Sequence, residues 1–172
     1  MWPSRGTVES LIGDDDGGAA DAVFVAAAGN DNNAIEQHPA AEDNVVAVTS
    51  VDSEKREFEF ANFSGVDESW VKVAAPGTDI HAPFPQGRYA TWSGTSMATP
   101  FVAGQAALIQ SVRPTASGAC VSGIIETTAD RAALDAANPT YAGRLGAGHA
   151  DAAASTDYAA NGANPCAGTG DD

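Results

Sequence analysis

The pattern of apolar and polar positions predicts strands in the first half of the chain and helices after them. The apolar run Val23–Ala28 ends in a Gly-Asn pair, which is typical of a buried parallel strand. The stretch Arg56–Asn62 has an ambiguous pattern. Four further strands are predicted from apolar runs between turn residues, at Asn44–Val51, Val71–Ala74, Asp79–Ala82 and Arg88–Trp92.

The longest helical pattern covers Phe101–Val112. This segment is apolar nearly all round, which predicts a central, buried helix, and Pro114 ends it. Shorter helices are predicted over residues 115–130 and 148–159. Strands followed by helices around a mostly parallel sheet indicate an α/β fold with three layers and an incomplete sheet.

The chain divides into three parts. Residues 1–20 include a run of aspartates and glycines, Asp14–Gly18, which predicts a solvated loop. Residues 21–160 carry the predicted strands and helices, and a chain of 172 residues that is 44% hydrophobic suits one domain. Residues 161–172 are rich in glycine and end in two aspartates, which predicts a disordered acidic tail.

The net charge of −15, from 23 acidic and 8 basic residues, argues against nucleic acid and anionic membranes as partners, because both bind basic surfaces. No apolar run reaches the roughly 18 residues that a membrane span needs. Lys55 and Lys72 are the only lysines. An acid excess with scarce lysine resembles proteins of salt-loving organisms, and an ordinary acidic secreted protein is the alternative.

Two cysteines, Cys120 and Cys166, permit one disulfide but do not prove it. Cys120 opens a predicted helix and Cys166 lies in the predicted tail, so a bridge would hold the tail against the domain. Two independent thiols are the alternative.

Candidate chemistry centres on Ser96, which lies between Gly94 and the apolar helix. The free N–H groups and the positive dipole end of a helix favour negative charge near such a serine, which makes it a sensible nucleophile. Gly94 permits a close backbone approach, and Pro100 is expected in or near the first turn, where a missing donor costs least. From position alone, a serine that merely caps the helix is the alternative.

Four segments resemble the subtilisin-like serine proteases (subtilases) and occur in the family's order: Val23–Asn30, Ala74–Gly77, Ser93–Pro100 and Gly143–Ala152. The resemblance implies a subtilisin-like α/β fold and an extracellular serine endopeptidase that hydrolyses polypeptides through an acyl-serine intermediate. It assigns Ser96 as the nucleophile. It also assigns Asn30 as a side-chain donor to the oxyanion, beside the Ser96 N–H. We therefore expect Asn30 and Ser96 at adjacent carboxyl ends of strands, facing one crevice.

The resemblance also implies a substrate pocket. Ala27, Ala28 and Gly29 correspond to one wall of the pocket for the residue before the cleaved bond, and Gln37 to its floor. The opposite wall, a Ser-x-Gly segment in the family, is expected to be missing.

In subtilases the triad runs Asp, His, Ser along the chain, so the aspartate and histidine belong upstream of Asn30. The residues upstream of Val23 contain no histidine. We therefore expect residues 1–20 to be an atypical remnant and residues 21–160 to be the C-terminal part of a catalytic domain whose N-terminal part is missing. The isolated chain should be inactive. A truncated pseudoenzyme or peptide-binding remnant is the alternative, and a non-catalytic acidic module would be favoured if Asn30 and Ser96 were far apart.

The histidines of the chain, His38, His81 and His149, are not predicted to act as the general base. An order of Ser96, then Asp130 or Asp135, then His149 would imitate an α/β-hydrolase triad, but the Gly-x-Ser-x-Gly elbow of that fold is absent.

Subtilases commonly bind calcium, and the segment Ala40–Val45, with Glu42 and Asp43, corresponds to a loop that can do so in the family. Lys72 stands where another acidic residue often helps. Calcium is therefore possible, with no ligands assigned, and no other cofactor is predicted.

Overall fold

The structure is a computed structural model that describes residues 22–163 and 165–166. The predicted remnant at residues 1–20 lies outside the described residues. The strands are β1 (Phe24–Ala27), β2 (Val45–Val51), β3 (Val73–Pro76), β4 (Ile80–Phe84) and β5 (Arg88–Trp92). The helices are α1 (Thr95–Val112), α2 (Gly118–Thr127), α3 (Arg131–Ala137) and α4 (Ala152–Asn161), with a 3-10 helix at Pro139–Tyr141.

The strands form two separate sheets. Strands β1, β2 and β3 are parallel and lie in that order, with Ala27 opposite Val48 and Val48 opposite Val73. Strands β4 and β5 form an antiparallel hairpin, with Ile80 opposite Trp92. The α/β class with a parallel sheet is confirmed, and the strand that leads into Ser96 belongs to the hairpin rather than to the parallel sheet.

Side chains of β2 alternate between the two faces of the parallel sheet, and each face packs against its own layer of residues. Val46 and Val48 face a core that they share with residues of α1 and α2, including Val102, Ile109, Ile124 and Ile125. Val51 faces the other side, where it packs with Phe63, Leu134 of α3 and Leu145. Because successive side chains of a strand point to opposite faces, the valine-rich strand is covered on both.

Helix boundaries differ from the sequence predictions where polar caps decide them. The helix predicted over 115–130 corresponds to α2 alone, which the Ser117 side chain caps by accepting from the Cys120 N–H. Helix α3 was not predicted, and it begins after Asp130, whose side chain accepts from the Ala133 N–H. The helix predicted to begin at residue 148 begins at Ala152, capped in the same way by Asp151.

Helix α1 begins at Thr95, six residues before the predicted start at Phe101. Ser96 therefore lies within the helix. Pro100 is its sixth residue, beyond the first turn, so the Ser96 carbonyl lacks the N–H that would normally bond to it.

Only one side of α1 is buried among the described residues, although the sequence predicts burial nearly all round. Val102, Ala106 and Ile109 lie in the core, whereas Phe101 and Leu108 are each 49% exposed. An open groove of about 640 Å³ runs beside Leu108, between α1 and α4. None of the described helices has the length and apolarity needed to cross a bilayer.

Cys120 and Cys166 form a disulfide, which decides between the two alternatives left by the sequence. Both residues are buried, at 0% and 1% exposure. The bridge joins α2 to the segment after α4, so the first part of the predicted disordered tail is packed against the domain. Residue 164 and residues 167–172 lie outside the described residues.

Candidate active site

Ser96 is the second residue of α1 and is exposed. Gly94 caps this helix without a side chain, and its own N–H donates to the Gly77 carbonyl at 2.7 Å. Gly94 has φ = 146°, in the region that favours glycine. The start of α1 is thereby fixed to the chain just beyond the carboxyl end of β3.

Asn30 lies three residues beyond β1 and is bound to the residue before Ser96. Its Oδ1 accepts from the Thr95 N–H at 2.9 Å and from the Thr95 hydroxyl at 3.2 Å. The same hydroxyl oxygen accepts from the Gly29 N–H at 3.2 Å. Thr95, which is fully buried, therefore joins the end of β1 to the start of α1.

This arrangement leaves two N–H donors without partners among the described residues. Because Oδ1 of Asn30 is directed at Thr95, the Nδ2 group is turned away from that contact, and within the described part of the chain it makes no hydrogen bond. The Ser96 N–H likewise has no partner among residues 22–163 and 165–166, as expected at the second position of a helix. Both N–H groups are therefore candidate donors to a ligand.

Asn30 and Ser96 lie at the same edge of the sheet, as expected, but not at adjacent strand ends. Asn30 follows β1, and Ser96 is held near the end of β3 through Gly77, so β2 lies between the two strands. Ser96 itself begins a helix. The separation that would favour a non-catalytic module is not found, because Thr95 contacts Asn30 directly.

The predicted pocket residues divide by exposure. Ala28 is 0% exposed and packs with Ala40, Ala47, Trp70 and Val71, so its methyl group faces the core and cannot line an open pocket. Ala27 and Gly29 are partly exposed.

Gln37 lies against Gly29: a Cβ built on Gly29 would stand 3.2 Å from Gln37 Cγ. The proposed pocket wall is therefore limited to Ala27, Gly29 and Gln37.

Two of the three histidines are engaged in their own segments. His38 Nδ1 lies 2.6 Å from Oε1 of the buried Glu42, and His81 stacks on Tyr89 with ring centroids 5.2 Å apart. Neither has a hydrogen bond or ring contact with Ser96 in the described residues.

His149 is held by backbone pairing with Asp130. Burial lowers the pKa of His149, and the nearby Lys55 lowers it further. The Asp130 carboxylate caps α3 and bonds to Lys55 at 3.0 Å. Asp135, the other acid in the hydrolase-like order, accepts from the Gly143 N–H. These groups serve the C-terminal packing, and no hydrogen bond links them to Ser96 among the residues described.

The segment corresponding to a calcium loop brings no cluster of acidic side chains together. The Glu42 carboxylate lies against His38, and no group of three or more His, Cys, Asp or Glu side chains converges within the described residues. Calcium therefore has no assigned ligands in the described part of the chain.

The parallel sheet, with a helix-borne serine and an asparagine at one edge, is the arrangement expected from the resemblance noted in the sequence. The sequence matches the model of the Peptidase S8 subtilase family over residues 3–164, and the chain belongs to this family. The family membership and the fold expected from the sequence are thus confirmed.

Similar sequences and solved structures are also proteases of this family. Thermitase from Thermoactinomyces vulgaris is 44% identical over 109 residues, covering 63% of this chain and 37% of thermitase. Subtilisin DY from Bacillus licheniformis is 43% identical over 115 residues, covering 64% of this chain and 40% of the relative. The structure of the patellamide maturation protease PatA superposes with a TM-score of 0.71 at 32% identity, over 81% of this chain and 52% of that one. The chain spans less than half of the two curated relatives.

Proposed function

We propose that this chain supplies the nucleophile and the oxyanion donors of an extracellular, subtilisin-like serine endopeptidase acting on polypeptides. Ser96 attacks the peptide carbonyl, and the Asn30 Nδ2 group and the Ser96 N–H stabilise the negative charge that forms on its oxygen. Ala27, Gly29 and Gln37 contribute one side of the pocket for the residue before the cleaved bond. Membership of the family supports the extracellular location.

One observation carries this proposal: Thr95 holds Asn30 by its oxygen and so leaves its nitrogen free. An amide bound through Oδ1 to a helix N–H must present its Nδ2 group elsewhere, and the adjacent Ser96 N–H is also unpaired among the described residues. Two fixed donors need no reorganisation when charge develops, which is the condition for strong transition-state stabilisation.

The proposal requires a general base from outside these 172 residues. A serine hydroxyl is unreactive at neutral pH without a histidine to accept its proton. None of the three histidines has a hydrogen bond or ring contact with Ser96 among the described residues. The matched regions cover 37% of thermitase and 40% of subtilisin DY, so their remaining parts offer room for the aspartate and histidine.

A chimera tests the proposal. The part of thermitase that precedes its match to this chain is joined ahead of residue 22 and assayed for peptide hydrolysis beside the isolated chain. The isolated chain should show no turnover and the chimera should. In the chimera, Ser96→Ala should lower kcat on the order of 10⁶-fold, the loss known for a subtilisin. Asn30→Ala should lower it about 10²- to 10³-fold, again as in a subtilisin.

Two results would decide against the proposal. Turnover by the isolated chain that disappears in Ser96→Ala would mean that His38, His81 or His149 is the base after all. A chimera that unfolds cooperatively and binds peptides without cleaving them would favour the pseudoenzyme alternative.

A further inference from the structure

Asn62 is a fully buried asparagine, and within the described residues its side chain bonds to the backbone around Asn30. Its Oδ1 accepts from the Asp31 N–H at 2.9 Å and from the Asn33 N–H at 3.3 Å. Its Nδ2 donates to the Ala28 carbonyl at 3.0 Å. One planar group thus binds the chain on both sides of Asn30.

Asn62 is itself anchored to the sheet. Its N–H donates to the Gly29 carbonyl at 3.0 Å, and its carbonyl accepts from the Thr49 hydroxyl of β2 at 2.6 Å. The contact is close enough to require glycine at residue 29, because a Cβ there would stand 2.5 Å from Asn62 Nδ2 and φ is +104°. The turn that carries Asn30 is therefore built around this side chain.

We propose that Asn62 is the positioning residue for Asn30, holding the backbone turn from which the Asn30 amide reaches the oxyanion. This inference rests on the proposed role of Asn30. Thr95 fixes only the Oδ1 end of the Asn30 side chain. The backbone that carries the side chain is exposed at residues 30–32, where the Asn32 N–H donates to the Phe60 carbonyl and Asn62 accepts from the N–H groups on either side of Asn32.

The chemistry of the amide explains why this residue type is needed. An asparagine offers an oxygen for two N–H donors and an NH₂ group for one carbonyl in a single plane. Aspartate lacks the donor, and alanine or serine cannot span the turn. Oxyanion donors must be held within about 0.5 Å of the productive position, so loss of this support should act on the chemical step rather than on substrate binding.

Amide hydrogen exchange on the 172-residue chain tests the positioning directly. In Asn62→Ala, the Asp31 and Asn33 amides should exchange at least about tenfold faster than in the wild type, while the β2 amides keep their protection. The reason is that each of the two amides loses the one acceptor it has within the described part of the chain.

Asn138→Ala is the matched control. Asn138 is 6% exposed, and its side chain also makes three hydrogen bonds, to the Lys55 and Leu134 carbonyls and from the Glu57 N–H. In this control the Asp31 and Asn33 amides should stay protected. Unchanged protection in Asn62→Ala, or an equal loss in Asn138→Ala, would overturn the proposal.

Turnover of the thermitase chimera tests the consequence for catalysis. Asn62→Ala should lower kcat about 10- to 100-fold with little change in KM, whereas Asn138→Ala should leave kcat near wild type. In the Asn30→Ala background, Asn62→Ala should cause no further loss, because it acts through Asn30. An equal loss in both backgrounds would refute positioning. If Asn30→Ala alone left kcat unchanged, the proposed oxyanion role would fail instead, and the exchange rates would still decide whether Asn62 orders the turn.

Discussion

The Gly29 N–H donates to the Thr95 hydroxyl at 3.2 Å, so the buried Thr95 side chain links the start of α1 to the segment that follows β1. Thr95→Val keeps the shape but removes this acceptor and the hydroxyl contact to Asn30. We expect Thr95→Val to lower the free energy of unfolding by about 1–3 kcal/mol, because the Gly29 N–H loses its partner. Urea denaturation of the chain measures this. Thr95→Ser keeps the hydroxyl, and a loss as large as that of the valine variant would contradict the prediction.

Glu57 should make stability depend on pH. Burial raises the pKa of Glu57 from 4.5 to about 7, with Glu59 adding to the shift, and its Oε1 is buried with no hydrogen-bond partner among the described residues. The folded chain therefore binds a proton that the unfolded chain releases, so this residue's contribution falls as pH rises from 4.5 to about 7.

Glu57→Gln removes the loss of stability that comes from ionising this carboxyl group. Because the side chain is only partly buried, we expect the variant to gain about 1–2 kcal/mol over the wild type at pH 8, and no gain below pH of about 4.5. Denaturation at a series of pH values measures the difference. A difference that does not change with pH would contradict it.

The disulfide should contribute strongly to stability. Cys120 and Cys166 close a loop across 46 positions of sequence, and restricting the unfolded chain in this way is worth about 4 kcal/mol in the loop-entropy description. A variant with serine at both positions should lose about 3–4 kcal/mol of unfolding free energy. Denaturation with and without reductant supplies the control, because reductant should destabilise the wild type and leave the double variant unchanged.

Salt should stabilise the folded chain. The chain has 23 acidic and 8 basic residues, so its negative charges repel one another in the compact state. Molar salt screens this repulsion, because the Debye length there is about 3 Å. The midpoint of thermal unfolding should rise across a sodium chloride series. A midpoint that stays constant or falls would remove the interpretation of the acidic surface as an adaptation to salt.

The sequence predicted those strands whose bounds depend on the local pattern of apolar residues. The valine-rich run of β2 and the strand Arg88–Trp92 were found with nearly the observed bounds. The start of α1 was not, because Gly94 caps the helix through its backbone and leaves no side-chain signal. Helix α3 was not predicted, because its seven residues are too few to give a clear helical period.

The site shows the same division. Ser96 and Asn30 could be named because they lie in segments that resemble the family. Thr95 lies in such a segment too, but its contact with Asn30 spans 65 positions of sequence and has no periodic signal. Asn62 fell in a stretch of ambiguous pattern, and its partners lie 29 to 34 positions away. Contacts of this kind follow from the tertiary fold and cannot be read from local sequence.

The exposed side of α1 allows a test of whether another part of the domain packs there. Leu108 is 49% exposed in this chain, and its neighbour Ile109 is fully buried. In the isolated chain, Leu108→Glu should change the free energy of unfolding by less than about 1 kcal/mol and reduce self-association, because it breaks an exposed apolar surface. Ile109→Ala, the control on the buried side, should cost about 2–5 kcal/mol.

In the thermitase chimera the same Leu108→Glu substitution should be strongly destabilising, since the added segment would bury the charge against α1. Light scattering and denaturation of both proteins measure the contrast. If Leu108→Glu were as harmless in a folded, active chimera as in the isolated chain, this side of α1 would be solvent-exposed in the complete domain. The upstream part would then have to contact the site by another route.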